Sequence, residues 1–239
     1  LSFTDLVTDD LGIPLAVVRD YDSRTAGRSE DFGYGWTLDM RFGSVQRNRA
    51  PGSGFAITTT PGDLPCRAVY EQQYHYVEVR LSDSEWYTFR PHIVNTTTIS
   101  GGCVADLIWE QSDGIHPGAT LTAHGSSQVR ATALPVARGI PTIPSDLTDF
   151  NTGEIYDPHS FQLVLRDGRL FELSFENGIE AMADPNGNAV LVRRNGLFHS
   201  SGRSTQFVRD ARNRITQVID SSGRSVGYEY SASGNLAAF

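Results

Sequence analysis

Asp184-Pro185-Asn186-Gly187-Asn188, His199-Ser200-Ser201-Gly202-Arg203, Asp210-Ala211-Arg212-Asn213-Arg214, Asp220-Ser221-Ser222-Gly223-Arg224 and Ser231-Ala232-Ser233-Gly234-Asn235 share one layout: a polar side chain opens each pentapeptide and Gly or Asn stands fourth. A three-residue hairpin loop, built as a type I turn followed by a bulge, asks for that layout because its fourth position takes positive φ. Gly and Asn reach positive φ at the least cost. Asp184, Asp210 and Asp220 at first corners, with Gly187, Gly202, Asn213, Gly223 and Gly234 at fourth positions, are therefore read as structural turn residues. From Gly202 onward the fourth position recurs at 213, 223 and 234, so alternate turns lie 21 residues apart. Strands of about six residues, roughly 20 Å of extended chain, fit between them.

The register follows from the turns. With Asp210 closing on Arg214 and Asp220 on Arg224, Val208 is expected opposite Thr216, Val218 opposite Val226 and Thr216 opposite Tyr228, all on one side of the sheet. A slip of one residue would send Tyr228 and Tyr230 to the other face and scatter the apolar set. Upstream, Phe161, Leu163 and Leu165 and then Phe171, Leu173 and Phe175 alternate in the same way around Asp167-Gly168. Asn177-Gly178 and Asn195-Gly196 are further hairpin signals. The second lies too close to 199–203 for both to close strands of ordinary length, and the spacing favours the 199–203 turn.

Working outward, the chain has three textures. Residues 1–42 are a mixed apolar and acidic lead ending in Phe32-Gly33-Tyr34-Gly35-Trp36. Residues 43–160 are rich in Thr, Val, Pro and Gly, with period-two runs at Tyr74–Leu81 and Trp86–Phe89 that read as half-buried strands. The proline-bearing stretch Ala137–Pro144 reads as loop. Residues 161–239 carry the repeats. No stretch has the periodicity of a long helix, so the expected fold is all-β: antiparallel hairpin ribbons with a β-rich middle module.

The ladder of short strands with acidic turns and Gly-Arg exits resembles the YD repeat of Rhs proteins, teneurins and the shell components of Tc-type toxin complexes. The Tyr-Asp pair that names the repeat is mostly absent: Tyr230 precedes Ser231, and Arg209 and Ile219 precede Asp210 and Asp220. At the other end, Gly12-Ile13-Pro14-Leu15-Ala16-Val17-Val18-Arg19-Asp20-Tyr21-Asp22-Ser23-Arg24, followed by Phe32-Gly33-Tyr34-Gly35-Trp36-Thr37, is similar to the segment that opens the Rhs core of bacterial polymorphic toxins. Pro14, Arg19, Tyr21, Gly33, Gly35 and Trp36 are the structural residues of that motif. The resemblance implies a strip of sheet that spirals into a secreted or surface-displayed shell around a C-terminal toxin or effector. It implies no turnover and no cofactor, and its partner is the remainder of a longer chain, of which these residues are expected to be a mature or excised fragment.

Composition narrows the other classes. Net charge is −8 and every cationic residue is Arg, scattered singly and outnumbered by carboxylates, which argues against nucleic acid. No apolar window is long enough to span a bilayer as a helix, and Leu1-Ser2-Phe3-Thr4-Asp5 lacks the pattern of a signal peptide. Cys66 and Cys103 have no second pair at zinc spacing. They either pair across a 36-residue loop, worth about 3–4 kcal/mol, or are two buried thiols.

The histidines at 75, 92, 116, 124, 159 and 199 show no ligand spacing and read as structural or solvated. Gly33-Tyr34-Gly35 and Gly52-Ser53-Gly54 do not open a helix after a strand, so they read as tight packing and not as phosphate cradles. There is no Gly-x-Ser-x-Gly elbow. Asp184-Pro185 reads as a turn, although the self-cleavage site of Rhs proteins also begins Asp-Pro. Asn95-Thr96-Thr97 is a glycosylation sequon. Trp36, Trp86 and Trp109 are candidates for a sugar-stacking platform, with core packing favoured. Two rival functions remain: a carbohydrate- or receptor-binding sandwich in the middle region and, third, a glycoside hydrolase, which needs two converging carboxylates.

Overall fold

The computed structural model describes residues 1–9, 12–38, 43–58, 68–82, 84–99, 102–132 and 142–239. The fold is all-β with antiparallel pairing, and among the described residues a 3-10 turn at Ser23–Thr25 is the one helical element. The chain forms two compact units, Leu1–Ser44 with Leu165–Phe239, and Val45–Val164.

In the first unit the repeats make a meander. Leu170–Ser174, Gly178–Ala183, Ala189–Arg193, Gly196–His199, Ser204–Arg209, Ile215–Asp220 and Ser225–Gly227 each pair with the next. The corners between them have the backbone that the spacing requires, φ being +86° at Gly187, +89° at Gly202, +68° at Asn213 and +87° at Gly223, while Gly234, at +93°, closes a separate two-stranded hairpin of Glu229–Tyr230 with Leu236–Ala238. Each closes identically, the fourth N–H donating to the first carbonyl: Gly187 to Asp184 at 3.1 Å, Gly202 to His199 at 3.0 Å, Asn213 to Asp210 at 2.9 Å, Gly223 to Asp220 at 3.0 Å and Gly234 to Ser231 at 2.9 Å. A Cβ added at Gly202 or Gly223 would meet nothing within 4 Å. Gly202→Ala and Gly223→Ala are therefore expected to cost only the left-handed backbone penalty, about 1–2 kcal/mol each, while Asn213→Gly stays within a few tenths of the parent. Urea-unfolding midpoints check this, and an unaltered Gly223→Ala midpoint would contradict the turn geometry.

Two expectations are corrected. Val208 lies opposite Gln217, not Thr216, because a bulge falls between Val208 and Arg209. The N–H of Ile215 turns to the carbonyl of Asp31 at 2.7 Å, and the Thr216 hydroxyl reaches the Val208 carbonyl at 3.2 Å. Val208 is consequently 44% exposed, and Phe207, Ile215 and Val218 form the buried face. One corner further on, Val218 pairs with Val226, and the Tyr228 N–H reaches the Thr216 carbonyl, as expected. Second, the 195–196 and 199–203 signals both close hairpins: Arg193 pairs with Gly196 across Arg194-Asn195, leaving a four-residue strand, Gly196–His199, between the two turns. The Asn177-Gly178 signal does close a hairpin: Gly178, at φ +68°, pairs with Ser174, and a bulge follows where the register shifts between Glu172 and Leu173.

The lead segment adds a small sheet in the order Ser2–Thr8, Leu15–Tyr21, Trp36–Leu38. Leu15, Val17, Phe32 and Leu38 are fully buried, as are Val190, Leu197, Ile215 and Val218 of the meander, each such side chain contributing about 1.5–3 kcal/mol.

In the second unit a long hairpin, Trp86–Ile99 with Gly102–Gln111, is flanked on one side by Val77–Arg80. On the other side the sheet forks: the first half of Gly102–Gln111 pairs with Gln128–Thr132 and its second half with Thr120–Ala123, which in turn pairs with Ser160–Val164. Phe55–Thr58 forms a separate sheet with Ala68–Glu71 and Thr142–Pro144. Two readings change here. The run expected as a strand from Tyr74 starts only at Val77, and the end of the expected proline loop, Thr142–Pro144, is an edge strand, where a residue lacking an N–H is tolerated. The remainder of that stretch, 137–141, lies outside the described residues.

Candidate functional site

The chemistry of the repeat turns is local. In Asp210, Oδ1 accepts from the N–H groups of Arg212 and Arg214, both at 2.9 Å, and Oδ2 accepts from Nε and Nη2 of Arg214 at 2.9 and 2.6 Å. Asp220 repeats this with Ser222 and Arg224, and Asp184 with Asn186 and Asn188. The first-position acid thus satisfies two N–H groups and the fifth side chain at once. Elsewhere the same post is held by His199 Nδ1, accepting from Ser201 N–H at 3.0 Å, and by Ser231 Oγ, accepting from Asn235 N–H at 3.2 Å.

These bonds set the acid response of the unit. A hydrogen bond from Ser222, then one from Arg224, holds the Asp220 carboxyl well below the usual range; the Asn188 amide does the same for Asp184. At Asp210 desolvation pulls upward, but the bonds from Arg214 outweigh it and the net shift is downward. A carboxylate depressed in the folded state contributes stability above its unfolded pKa of about 4 and loses it as pH falls toward the folded value. The first unit is therefore expected to unfold at lower urea concentration at pH 3 than at pH 6, and Asp220→Ala should shrink that difference. An unchanged pH dependence in Asp220→Ala would contradict this assignment.

The lead motif converges on Arg19. Its side chain and that of Asp5 are each 1% exposed. Nη2 of Arg19 donates to Asp5 Oδ1 at 2.8 Å, and its Nε also bonds the same carboxylate. The Tyr228 hydroxyl donates to Asp5 Oδ2 at 2.7 Å. Around the guanidinium stand the rings of Phe239 at 4.0 Å, Trp36 at 5.2 Å, Tyr228 at 5.5 Å, Phe3 at 5.6 Å and Phe32 at 6.0 Å. Such a box favours a cation by about 2 kcal/mol or more once water is excluded.

Pro14 leads directly into the strand that carries Arg19, Tyr21 packs its ring on Trp36 at 5.1 Å, and Gly35 at φ +73° lets Tyr21 come close. Gly33, at φ +92°, lies against the carbonyl of Gly234. Further ties run from Arg209 to Asp31 at 2.7 Å, from Arg224 to the Val7 carbonyl at 2.8 Å and from Arg203 to the Asp9 carbonyl at 2.6 Å. The turns and the lead motif, distant in sequence, are brought together. Asp5 was not singled out by sequence, and Tyr228 and Arg214 were named only as a register partner and a turn-closing partner. Asp5 sits at a bulge between Thr4 and Leu6, which breaks the period that would have marked it. Arg214 covers the ring of Tyr230 at 4.0 Å, tying one corner to the next.

In the second unit, Phe55, Val69, Pro91 and Ile93 line a groove of about 350 Å³ together with the polar Tyr70, Glu71, Arg90, His92 and Glu110. Glu71 bonds the backbone and Nδ1 of His75 at 2.7 and 2.9 Å, and Arg90 through its other oxygen. Trp109 is buried against Phe161, and Trp86 carries Arg80 at 5.8 Å. Cys103 is buried and is not a free thiol; Cys66 lies outside the described residues. Asn95 is exposed at φ +54°, its amide donating to Asp106 at 2.9 Å. Among the described residues no group of His, Cys, Asp and Glu is arranged to hold a metal ion, and no helix is long and apolar enough to cross a membrane.

Residues 209–238 match the RHS Repeat family. The match spans the corners opened by Asp210, Asp220 and Ser231 together with Arg214, Tyr228 and Tyr230. No curated protein matches the sequence.

Proposed function

We propose that this chain, which carries an RHS repeat, is a structural segment of a secreted or surface-displayed shell that encloses or presents a C-terminal toxin or effector, and that it has no catalytic role. The observation that carries the reading is the meander itself. Consecutive hairpins with one capped corner chemistry form a sheet that can grow by adding repeats, and the RHS match covers its last two corners and the separate hairpin that follows. The Arg19 box supports the same reading, since it fastens the lead motif to the repeats through buried groups that have no access to a substrate. Its partner is then the remainder of the longer chain, with no cofactor required.

Limited proteolysis of the longer polypeptide tests this. Sequence downstream of the repeats is expected to be cut at least tenfold more slowly in the intact chain than as a free segment. Equal rates would overturn the enclosure reading.

A further inference from the structure

We infer that the groove of the second unit is a binding site for an uncharged saccharide. Its lining sets the apolar side chains of Val69 and Ile93 and the exposed ring of Tyr70 beside polar groups, with Phe55 and Pro91 buried beneath; a volume of about 350 Å³ falls in the range of small-ligand sites. A ligand matching both must present a hydrocarbon face together with a ring of hydroxyl groups, which is the chemistry of a pyranose.

Charge narrows the class. Glu71 and Glu110 face the groove with Arg90 and His92, and His92 Nδ1 lies 3.7 Å from Glu110. An anion would meet two carboxylates, and a cation would meet the Arg90 guanidinium. A neutral polyol instead finds acceptors and donors side by side: Arg90 and Glu110 are cross-strand partners, and Arg90 is also bonded to Glu71. The side chains of Arg90, His92 and Glu110 are 43%, 53% and 57% exposed, so they are open to a ligand.

The rim is also preorganised. His75, stacked on Phe55 at 5.1 Å, fixes Glu71 from behind. Asn48 bonds the Tyr74 carbonyl at 2.8 Å and the Tyr76 N–H at 3.1 Å, which holds Tyr74 under the Arg90 guanidinium at 4.6 Å. Ordering these groups beforehand lowers the entropy lost on binding.

The test is an array of neutral, sialylated and sulfated oligosaccharides probed with the chain of residues 1–239, followed by titration calorimetry with the strongest neutral binder. Saturable binding to a neutral oligosaccharide is expected, weakened about tenfold or more by Tyr70→Ala and by Glu110→Gln. Ile115→Ala, at an exposed loop position outside the groove lining, should bind as the parent does. Both groove side chains are surface-exposed, and circular dichroism of each variant verifies that it folds. The inference fails if no neutral oligosaccharide binds, if only charged glycans bind, or if both groove variants bind as tightly as the parent.

Discussion

Arg19→Ala is expected to destabilise the unit formed by Leu1–Ser44 and Leu165–Phe239 by about 3–5 kcal/mol, the largest effect of any single substitution considered. The side chains of Arg19 and Asp5 are both 1% exposed, so the alanine variant leaves a carboxylate in a dry site with only the Tyr228 hydroxyl as a named side-chain donor. It also empties the space between the rings of Phe3, Phe32, Trp36, Tyr228 and Phe239. Removing the charges together separates these two costs. Arg19→Met combined with Asp5→Leu and Tyr228→Phe should recover most of the loss, because an apolar cluster of similar volume replaces a charge pair with little net change. Urea titrations of the parent, single and triple variants give the comparison. An Arg19→Ala variant within about 1 kcal/mol of the parent would mean that the box does not hold the unit together.

Gly33→Ala is expected to cost about 2–5 kcal/mol. The residue has φ +92°, a left-handed backbone that charges alanine about 1–2 kcal/mol. Unlike the open turn glycines, it is also hemmed in: an added Cβ would lie 2.7 Å from the Gly234 carbonyl oxygen and 3.3 Å from Tyr230 Cε1. A backbone oxygen cannot swing aside as a side chain can, so overpacking adds about 1–3 kcal/mol. Gly234 is itself the positive-φ residue of the last turn, and its carbonyl accepts from Arg214 Nη1 at 3.4 Å, so displacement there spreads to the preceding corner. Gly223→Ala supplies the backbone penalty alone, and its difference from Gly33→Ala isolates the contact. Equal losses in the two variants would remove the steric part of this explanation.

The turns were legible in sequence because their requirement is local: a left-handed fourth residue and a hydrogen-bonding first one leave a mark wherever they occur, as at Asp210 and Asn213 or Asp220 and Gly223. The all-β class followed from the same marks. What local pattern misses is the outcome of long-range competition. The bulge that exposes Val208 arises because Asp31, far away in the chain, takes the Ile215 N–H. A strand as short as Gly196–His199 is unfavourable alone and persists between two flanking strands that share its cost.

The site residues divide along the same line. Arg19, Tyr21, Gly33, Gly35 and Trp36 were visible as a motif, but only the fold shows what they do, since the partners of Arg19 come from both ends of the chain. The groove left no sequence mark at all. Tyr70, Glu71, Arg90 and Glu110 come from three strands whose spacing in sequence carries no period, and their proximity is a product of two sheets meeting.

The lead motif and the turn ladder are held as one cooperative structure by the ties at Arg19, Arg209 and Arg224. Native-state amide hydrogen exchange, residue by residue, in the parent and in Arg19→Ala measures this directly. Amides of Leu15–Tyr21 and of Ser204–Asp220 should open with a common free energy in the parent, and both should lose protection by the same amount in the variant. Loss confined to Leu15–Tyr21, with the Ser204–Asp220 amides as slow as before, would show that the ladder stands without the lead segment and would contradict the claim.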